Sequence, residues 1–591
     1  MAWYDEAVFY HIYPLGMTGA EKQNDYGEVK HRLNTLIPWI EHIRNIGCNA
    51  LYIGPLFESV GHGYETTDYK KLDSRLGTNE DLANFVKECH KQGIRVILDG
   101  VFNHTGRDFF AFKDILKNRE NSQYKDWYCD VNFYGNNSYN DGFSYANWGG
   151  YDLLIKLNQR NPQVKDYICD VIRFWVKEFD IDGIRLDAAD VMDFDYMKAL
   201  RNVANEVKPD FWLMGEVIHG DYSRWANEGT LHSVTNYMLH KALYSGHNDH
   251  NYFEIAHTIK YVNDMVGNNL KLYMFVDNHD VERIYTKLNN KAHFEPVHVM
   301  LYTLPGIPSI YYGSEFAIEG RKEKFSDDSL RPELHYEDYK DAINTNPNTK
   351  LIATLGRLHQ NIKALCYGDY KQLELRNKSF AYARILDGKS VIITVSNGDE
   401  EDTMNVETAV NTCDGANYVG VLSGRKASVI GGRIQLSIKP NSGEIWVPEE
   451  LLDVSIAPIK TEEIVTEADA APLTDNKVEN LNASVSEESN QDSNSNDADV
   501  VTVIEEVKPD EIPDEIIEDT TKQNNECSAK EATEEPAFDW SKPYEEMSVE
   551  QLQEAILEKM RNNGPVTDYM LKTVRENTHI GSLINWVKSF R

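Results

Sequence analysis

The sequence predicts an α/β fold in which a parallel (β/α)8 TIM barrel carries an inserted subdomain and precedes an antiparallel β-sandwich. Two observations lead to this prediction. Over residues 1–365, short apolar β-type segments alternate with stretches whose apolar residues recur near every 3.6 positions, as in a β/α barrel. After residue 366 the pattern becomes strand-rich, with Gly and Asn turns.

Eight apolar segments are predicted as the barrel strands: residues 7–13, 49–54, 94–101, 181–187, 212–217, 233–237, 271–276 and 309–312. Residues 79–91 and 163–179 are among the helices predicted between them. The longest gap separates the third and fourth strands. Its residues 104–160, rich in Asn, Tyr, Gly and Trp, are predicted to form a subdomain inserted over the barrel mouth.

Three further regions follow the barrel. Residues 366–450 are predicted as the sandwich, with strands in 379–386, 390–397 and 433–447. Residues 451–540 are rich in Glu, Asp, Ser and Asn and nearly free of aromatics, which predicts a disordered linker. Residues 541–591 predict a small helical module, whose first helix runs from an N-cap at Ser548 to Gly564-Pro565. This module either docks on its own chain or a second copy, or binds a protein partner.

The net charge of −35 argues against nucleic acid or an anionic membrane as a partner. More than half of that charge lies in residues 451–540. The chain has no apolar run long enough to span a membrane, and its N-terminus does not resemble a secretory signal. Its seven scattered cysteines show no CxxC or metal-binding spacing. These features predict a cytoplasmic protein with reduced thiols.

Carboxylates follow several of the predicted strands, where buried apolar chain gives way to a cleft. Asp187, Glu216 and Asp280 end the fourth, fifth and seventh strand segments. Breaking a glycosidic bond requires two carboxyl groups, one acting as a nucleophile or base and one as an acid. Arg185, two residues before Asp187, shares its strand face and favours Asp187 as the nucleophile. The apolar residues preceding Glu216 favour Glu216 as the acid.

These motifs resemble those of the α-amylase family of glycoside hydrolases, glycoside hydrolase family 13. The matching segments are DGVFNH, GIRLDAAD, GEV and FVDNHD, with GIPSIYYGSE at the eighth strand and HGYETTDY in a loop. The resemblance covers about residues 3–450. It implies a retaining hydrolase that cleaves α-1,4-glucosidic bonds of maltodextrins through a covalent intermediate.

The resemblance also implies a role for each matching residue. Asp187 would be the nucleophile, Glu216 the acid/base and Asp280 the transition-state stabiliser, with Arg185 positioning Asp187. At the cleavage subsite, His104 and His279 would bind sugar hydroxyls and Tyr64 would stack on the sugar ring. Asp327 and Arg331 would hold the next sugar or form a surface salt bridge. Asp99 and Asn103 would brace the barrel mouth. Among the aromatic residues of the insertion, Tyr145 and Trp148 are predicted to be the most exposed.

Two positions depart from the calcium-binding members of that family. Asn103 resembles a calcium ligand, but Lys156 replaces an Asp and Val191 replaces a His. An ammonium group would repel the cation, so we predict no metal and no cofactor. Lys156 also resembles the neopullulanase and cyclomaltodextrinase branch, whose N-terminal domain is not expected in this chain.

Two other functions are compatible with the same sequence. A transglycosylase of the glucanotransferase type would use the same covalent intermediate and a sugar acceptor. A non-catalytic carbohydrate-binding or scaffold protein could retain the barrel without its chemistry. Neither requires a cofactor, and both would bind α-glucan oligosaccharides.

Overall fold

The computed structural model describes residues 2–456 except 268, 269 and 325, residues 547–563, and positions 574, 575, 583 and 587. The chain divides into two compact units, Met1–Ala470 and Ala471–Arg591. Within the described residues, no helix is both long and apolar enough to cross a bilayer.

Thirteen strands precede residue 320 in the first unit, and eight of them form a closed parallel barrel. In chain order they are β1 (Phe9–Ile12), β2 (Ala50–Ile53), β3 (Phe57–Ser59), β4 (Thr66–Leu72), β5 (Arg95–Gly100), β6 (His104–Thr105), β7 (Asn147–Trp148), β8 (Tyr151–Lys156), β9 (Gly183–Leu186), β10 (Trp212–Gly215), β11 (Ser233–Val234), β12 (Tyr273–Met274) and β13 (Ile307–Tyr311). Eight of them pair in the order β11-β10-β9-β5-β2-β1-β13-β12. A parallel bridge between Thr235 and Tyr273 joins the two outer strands. The predicted barrel is therefore confirmed, with one strand at each predicted segment.

Helices cover the outside of the barrel and lead into the sandwich. They are α1 (Pro14–Met17), α2 (Trp39–Asn45), α3 (Asn79–Lys91), α4 (Phe110–Asn118), α5 (Pro162–Phe179), α6 (Phe194–Val207), α7 (Tyr237–Asn248), α8 (Tyr252–Val266), α9 (Ile284–Lys287), α10 (Phe294–Thr303), α11 (Tyr336–Tyr339), α12 (Ala342–Thr345), α13 (Pro347–Asn361) and α14 (Lys363–Tyr367). Side chains cap several N-termini. Asp193, for example, accepts hydrogen bonds from the first turn of α6, which anchors the chain just beyond β9.

Aromatic and aliphatic side chains fill the barrel interior. Phe9 and Trp212 stack with ring centroids 5.1 Å apart, and Tyr273 packs against Phe9 at 5.6 Å. Ile97 and Met214 belong to the same buried cluster. The barrel is thus a packed core, and polar side chains from its strands collect at the carboxyl end.

The insertion after β5 contains a three-stranded sheet in the order β6-β8-β7, together with α4. Residues 369–448 form an antiparallel eight-stranded sheet that folds over a second apolar cluster. Its strands are β14 (Asp369–Leu375), β15 (Ser379–Leu386), β16 (Lys389–Ser396), β17 (Asp402–Glu407), β18 (Asn417–Gly420), β19 (Lys426–Ile430), β20 (Arg433–Ile438) and β21 (Gly443–Pro448). The predicted antiparallel sandwich is confirmed. Beyond it, Ile456 is buried in the main core of the first unit.

The second unit contains α15 (Val549–Asn563), which lies within the predicted helix 548–565. The Ser548 hydroxyl accepts a hydrogen bond from the Gln551 amide, and the Gln551 side chain accepts one from the Ser548 amide. This reciprocal cap explains why the helix begins here. Residues 457–546, which hold most of the predicted linker, lie outside the described residues. The role of the 541–591 module stays a prediction.

Candidate active site

Carboxylates from four barrel strands meet at one end of the barrel. Asp99 lies in β5, whereas Asp187, Glu216 and Asp280 follow β9, β10 and β12. Since the strands run parallel, their carboxyl ends share one rim. The structure therefore brings together the three predicted catalytic residues and the predicted bracing residue Asp99.

The Arg185 guanidinium is the centre of this group. Its Nη1 donates to Asp99 Oδ1 and to Asp187 Oδ1, both at 2.9 Å. Its Nη2 lies 2.9 Å from Glu216 Oε2. The Ala188 amide also donates to that Glu216 oxygen, at 3.1 Å. One buried cation therefore orients three carboxylates.

Asp187 is buried beside several other carboxylates. Burial raises the pKa of Asp187 well above its usual value, and the nearby carboxylates of Glu216, Asp99 and Asp280 add to that rise, while Arg185 opposes it. The Arg185 guanidinium is divided among Asp99, Asp187 and Glu216, so it does not act on Asp187 alone.

Asp280 lies in a more cationic part of the site. Its Oδ2 is 2.9 Å from His279 Nε2, and its Oδ1 is 3.0 Å from Arg331 Nη2. Burial opposes ionisation, but His279 and the Arg331 guanidinium outweigh it and hold the pKa of Asp280 well below its usual range. Asp280 is thus a fixed negative charge at the strand mouth.

The predicted sugar-binding residues Tyr64, His104 and His279 also lie together at this end of the barrel. The Tyr64 hydroxyl hydrogen-bonds His279 Nε2 and donates to Asp99 Oδ2 at 3.3 Å. His104 Nε2 donates to the Tyr64 carbonyl at 3.1 Å. Burial lowers the pKa of His104 to about 4, so its ring is neutral near pH 7. Tyr64, His104 and His279 therefore form a continuous polar wall beside the carboxylates.

The Asp327–Arg331 pair belongs to the site rather than to the open surface. Arg331 Nη2 lies 3.1 Å from Asp327 Oδ2 as well as 3.0 Å from Asp280 Oδ1. Its Nε donates to the His279 carbonyl at 3.1 Å. A simple surface salt bridge would not contact the residues that end β12, so this geometry favours the binding role.

The structure adds three site residues that the sequence did not single out. The Tyr52 hydroxyl donates to Asp99 Oδ2 at 2.8 Å, and the His11 ring stacks on Tyr52 with centroids 4.1 Å apart. The Tyr13 ring lies 4.5 Å from the Arg331 guanidinium. The available signal was polarity inside the otherwise apolar strands FYHIYP and NALYIG.

Of the two aromatic residues predicted to be exposed, one is exposed and the other is buried. Trp148 is 38% exposed, but Tyr145 is only 8% exposed. Tyr145 packs edge-on against Phe112 and hydrogen-bonds the Asp152 carbonyl and Arg107. The polar Asn/Gly context was misleading because the buried hydroxyl finds partners inside the insertion.

The position where Asn103 resembles a calcium ligand is occupied by side-chain amides. Asn103 Oδ1 accepts from Gln159 Nε2 at 3.0 Å, and Gln159 Oε1 accepts from the Asp193 amide at 2.6 Å. Lys156 lies in β8, and Val191 is exposed. Within the residues that the structure describes, no group of three or more His, Cys, Asp or Glu side chains is arranged to hold a metal. This donor set does not suit a divalent cation.

Replacing Gln159 is therefore expected to destabilise the protein, whereas chelation is not. Gln159→Ala should cost about 1–3 kcal/mol of unfolding free energy, because it leaves the buried Asn103 oxygen without its donor. The exposed Gln123 supplies a matched control, Gln123→Ala. Thermal unfolding of the wild type with EDTA, and then with added calcium, should give one melting temperature. A fall with EDTA that calcium reverses would contradict this reading.

Comparisons with known proteins match more than half of the chain to proteins of one kind. A family profile described as "Alpha amylase, catalytic domain" matches residues 12–350. A cyclomaltodextrinase of Thermoanaerobacter pseudethanolicus is 31% identical over 425 residues, covering 68% of this chain and 72% of the relative. Neopullulanase 2 of Thermoactinomyces vulgaris is 28% identical over 472 residues, covering 75% and 78%. A solved debranching enzyme of Nostoc punctiforme, 26% identical, superposes with a TM-score of 0.66 over 75% of this chain and 98% of that one.

Proposed function

The chain belongs to the α-amylase family of glycoside hydrolases, and from that membership we propose that it cleaves α-1,4-glucosidic bonds of maltodextrins with retention of configuration. The observation that carries this proposal is the joint contact of Arg185 with Asp187 and Glu216. Two carboxyl groups bridged by one guanidinium are close together, as a nucleophile and an acid/base must be in retaining enzymes.

In the proposed first step, Asp187 attacks the anomeric carbon while Glu216 gives its proton to the glycosidic oxygen. The carbon–oxygen bond breaks, the leaving sugar takes the proton, and an ester forms between the sugar and Asp187. Arg185 holds both carboxyl groups in place. Giving its proton to the leaving group leaves Glu216 ionised, ready to act as a base.

In the second step, water attacks the anomeric carbon, Glu216 takes a proton from that water, and the ester to Asp187 breaks. Positive charge develops on the sugar ring in both transition states, and the fixed charge of Asp280 would stabilise it. The neutral His104 ring and His279 would hydrogen-bond sugar hydroxyls, and Tyr64 would provide an aromatic face. Asp327 and Arg331 would hold the neighbouring sugar.

Product analysis with maltotriose tests the proposed reaction. Hydrolysis predicts glucose and maltose in equal amounts from the first turnovers, because water is the acceptor. Oligosaccharides longer than maltotriose would instead show that a sugar is the preferred acceptor, as in a transglycosylase. No turnover of maltotriose, cyclodextrin, pullulan or starch would contradict the proposal and favour a binding or scaffold role.

We also propose a cytoplasmic location. Six cysteines lie in the described part of the chain, and all six are free thiols. Reduced cysteines are typical of the cytoplasm, where thiols are kept reduced. Alkylation of the protein as the cells are lysed, followed by mass measurement, should find one alkyl group on each of these cysteines. A thiol reacts with the reagent, whereas a cysteine in a disulfide does not.

A further inference from the structure

A cleft opens at the end of the barrel where β12 and β13 begin. It lies between the segments that lead into these two strands, helix α8, and the first two strands of the sandwich, β14 and β15. Its volume is about 750 Å³, including the open mouth. Leu272 and Gly306 in its wall immediately precede β12 and β13, whereas Asp280 follows the other end of β12. A ligand in this cleft would therefore leave the candidate active site free.

The Arg384 guanidinium forms part of the cleft wall. Arg384 lies on β15 and is 2% exposed. Of its five N–H groups, three donate to the carbonyls of Gly368 and Thr303 and none to a carboxylate. Two N–H groups are thus left without an acceptor among the residues that the structure describes. The guanidinium keeps both its charge and spare donors.

Lys271 adds a second positive charge to the same wall. Its Nζ donates to the Asp5 carbonyl at 3.0 Å and lies 3.5 Å from Asp5 Oδ1. Burial lowers the pKa of Lys271, and the positive charge of Arg384 adds to the lowering, while Asp5 opposes it. Among the described residues that line the cleft, Asp369 alone is acidic, and it is exposed to solvent. An anion between the two cations would relieve their mutual repulsion.

Tyr370 contributes a buried hydroxyl to this wall. Tyr370 and Arg384 are directly opposite each other on β14 and β15, so their side chains share one face of the sheet. The Tyr370 hydroxyl is buried and makes no hydrogen bond to any described residue. The large majority of buried side-chain polar atoms in proteins are hydrogen-bonded. An unpartnered hydroxyl beside spare guanidinium donors therefore indicates a site that a ligand completes.

We propose that this cleft binds a phosphate group, either as the free ion or as the monoester of a small sugar. A phosphate monoester carries a charge of about −1.5 to −2 at pH 7 and has three acceptor oxygens. This suits an ammonium, a guanidinium and a hydroxyl that come from three separate segments. A planar carboxylate has one charge and is matched by a single guanidinium fork. Thr258 and Asn263 of α8 also line the cleft, where they can meet sugar hydroxyls.

Equilibrium dialysis with radiolabelled ligands tests the proposal on the full chain at pH 7.5 and constant ionic strength. Inorganic phosphate or glucose 6-phosphate should bind once per chain, and acetate should bind more weakly than either. Tighter binding of glucose 6-phosphate would identify the sugar ester as the occupant, and tighter binding of inorganic phosphate the free ion. Saturable binding of neither, or tighter binding of acetate, would overturn the proposal.

Two variants locate the bound phosphate. Lys271→Met should weaken its binding about tenfold or more, the scale of one charge-assisted hydrogen bond. Tyr370→Phe should weaken it about fivefold, the scale of one neutral hydrogen bond. Tyr370→Phe should also leave the melting temperature without phosphate unchanged, because the lost hydroxyl has no partner among the described residues.

Lys260→Met and Tyr261→Phe are the matched controls, since both side chains are exposed on α8. They remove the same charge and the same hydroxyl outside the cleft and should leave the affinity for phosphate unchanged. Unchanged affinity in both Lys271→Met and Tyr370→Phe, or equal losses in the controls, would overturn the assignment to this cleft. A lower melting temperature with unchanged affinity in Tyr370→Phe would show that its hydroxyl is structural and contradict its role as a ligand donor.

Discussion

Asp187→Asn is expected to lower kcat/KM on maltodextrins by a factor of about 10^4 or more, the scale on which removing a covalent nucleophile acts. An amide is nearly the size of a carboxylate and can stay beside Arg185, so folding should be retained. It cannot form the ester to the sugar, however. Initial rates with maltotriose and maltosyl fluoride measure the loss, and Asp190→Asn, in the exposed part of the same loop, is the control.

Azide distinguishes a lost nucleophile from a lost acid. With Asp187→Ala, azide can enter the vacated space and attack maltosyl fluoride directly, which inverts the configuration and gives a β-maltosyl azide. With Glu216→Ala, the ester to Asp187 still forms and azide attacks it from the opposite face, which gives an α-maltosyl azide. The reverse assignment of the two products would show that the roles of Asp187 and Glu216 are exchanged.

Arg185→Met is expected to have the largest effect on stability. It leaves Asp99, Asp187 and Glu216 without their shared cation in a buried site. Removing one partner of a buried ion pair lowers the free energy of unfolding by about 3–5 kcal/mol. Denaturant unfolding at pH 7.5 measures this deficit directly.

The loss of unfolding free energy in Arg185→Met should become smaller as the pH falls. Burial already raises the pKa of Asp187, and loss of Arg185 removes the main influence opposing that rise. A carboxyl group whose folded-state pKa lies above its unfolded-state value destabilises the fold at pH above the unfolded value. The deficit should therefore be full above the raised pKa and shrink as the pH falls towards 5, where the group takes up a proton in the folded state.

Arg384→Met supplies the matched control. Arg384 is equally buried, but its guanidinium donates to the carbonyls of Gly368 and Thr303 instead of contacting carboxylates. Burial lowers the pKa of Arg384 to about 10, so it stays charged between pH 5 and 7.5. Its deficit should be constant over that interval. An equally constant deficit for Arg185→Met would show that this residue acts mainly through packing.

The sequence predicted the barrel because each strand is a short apolar run with its own helix, and these are local signals. It also placed Arg185 and Asp187 together, since a spacing of two puts both on one strand face. It could not assign Asp99 and Glu216 to the same guanidinium, because that sharing depends on β5, β9 and β10 becoming neighbours when the barrel closes. Burial first, and then the neighbouring carboxylates that this closure brings close, raise the pKa of Asp187 against the opposing influence of Arg185.

The same limit applies to the residues that were missed or misplaced. His11 and Tyr52 are separate polar residues in two apolar strands, and only the pairing of β1 with β2 brings them together near Asp99. Tyr145 and Trp148 have similar Asn/Gly neighbours in sequence, yet one enters the core of the insertion and the other reaches a hairpin tip. Gln159 could not be linked to Asn103 from spacing alone, because the intervening insertion had no predictable path.

The most direct test of the account is the mass of the protein after reaction with maltosyl fluoride in the Glu216→Gln variant. Fluoride leaves without a proton donor, so the sugar should still reach Asp187, whereas its release by water lacks the base and should be slow. The account predicts one maltosyl group per chain, located by peptide mapping on Asp187 in the segment DGIRLDAAD. An adduct on another carboxylate would contradict it. So would turnover without any adduct that releases β-maltose, the product of inversion.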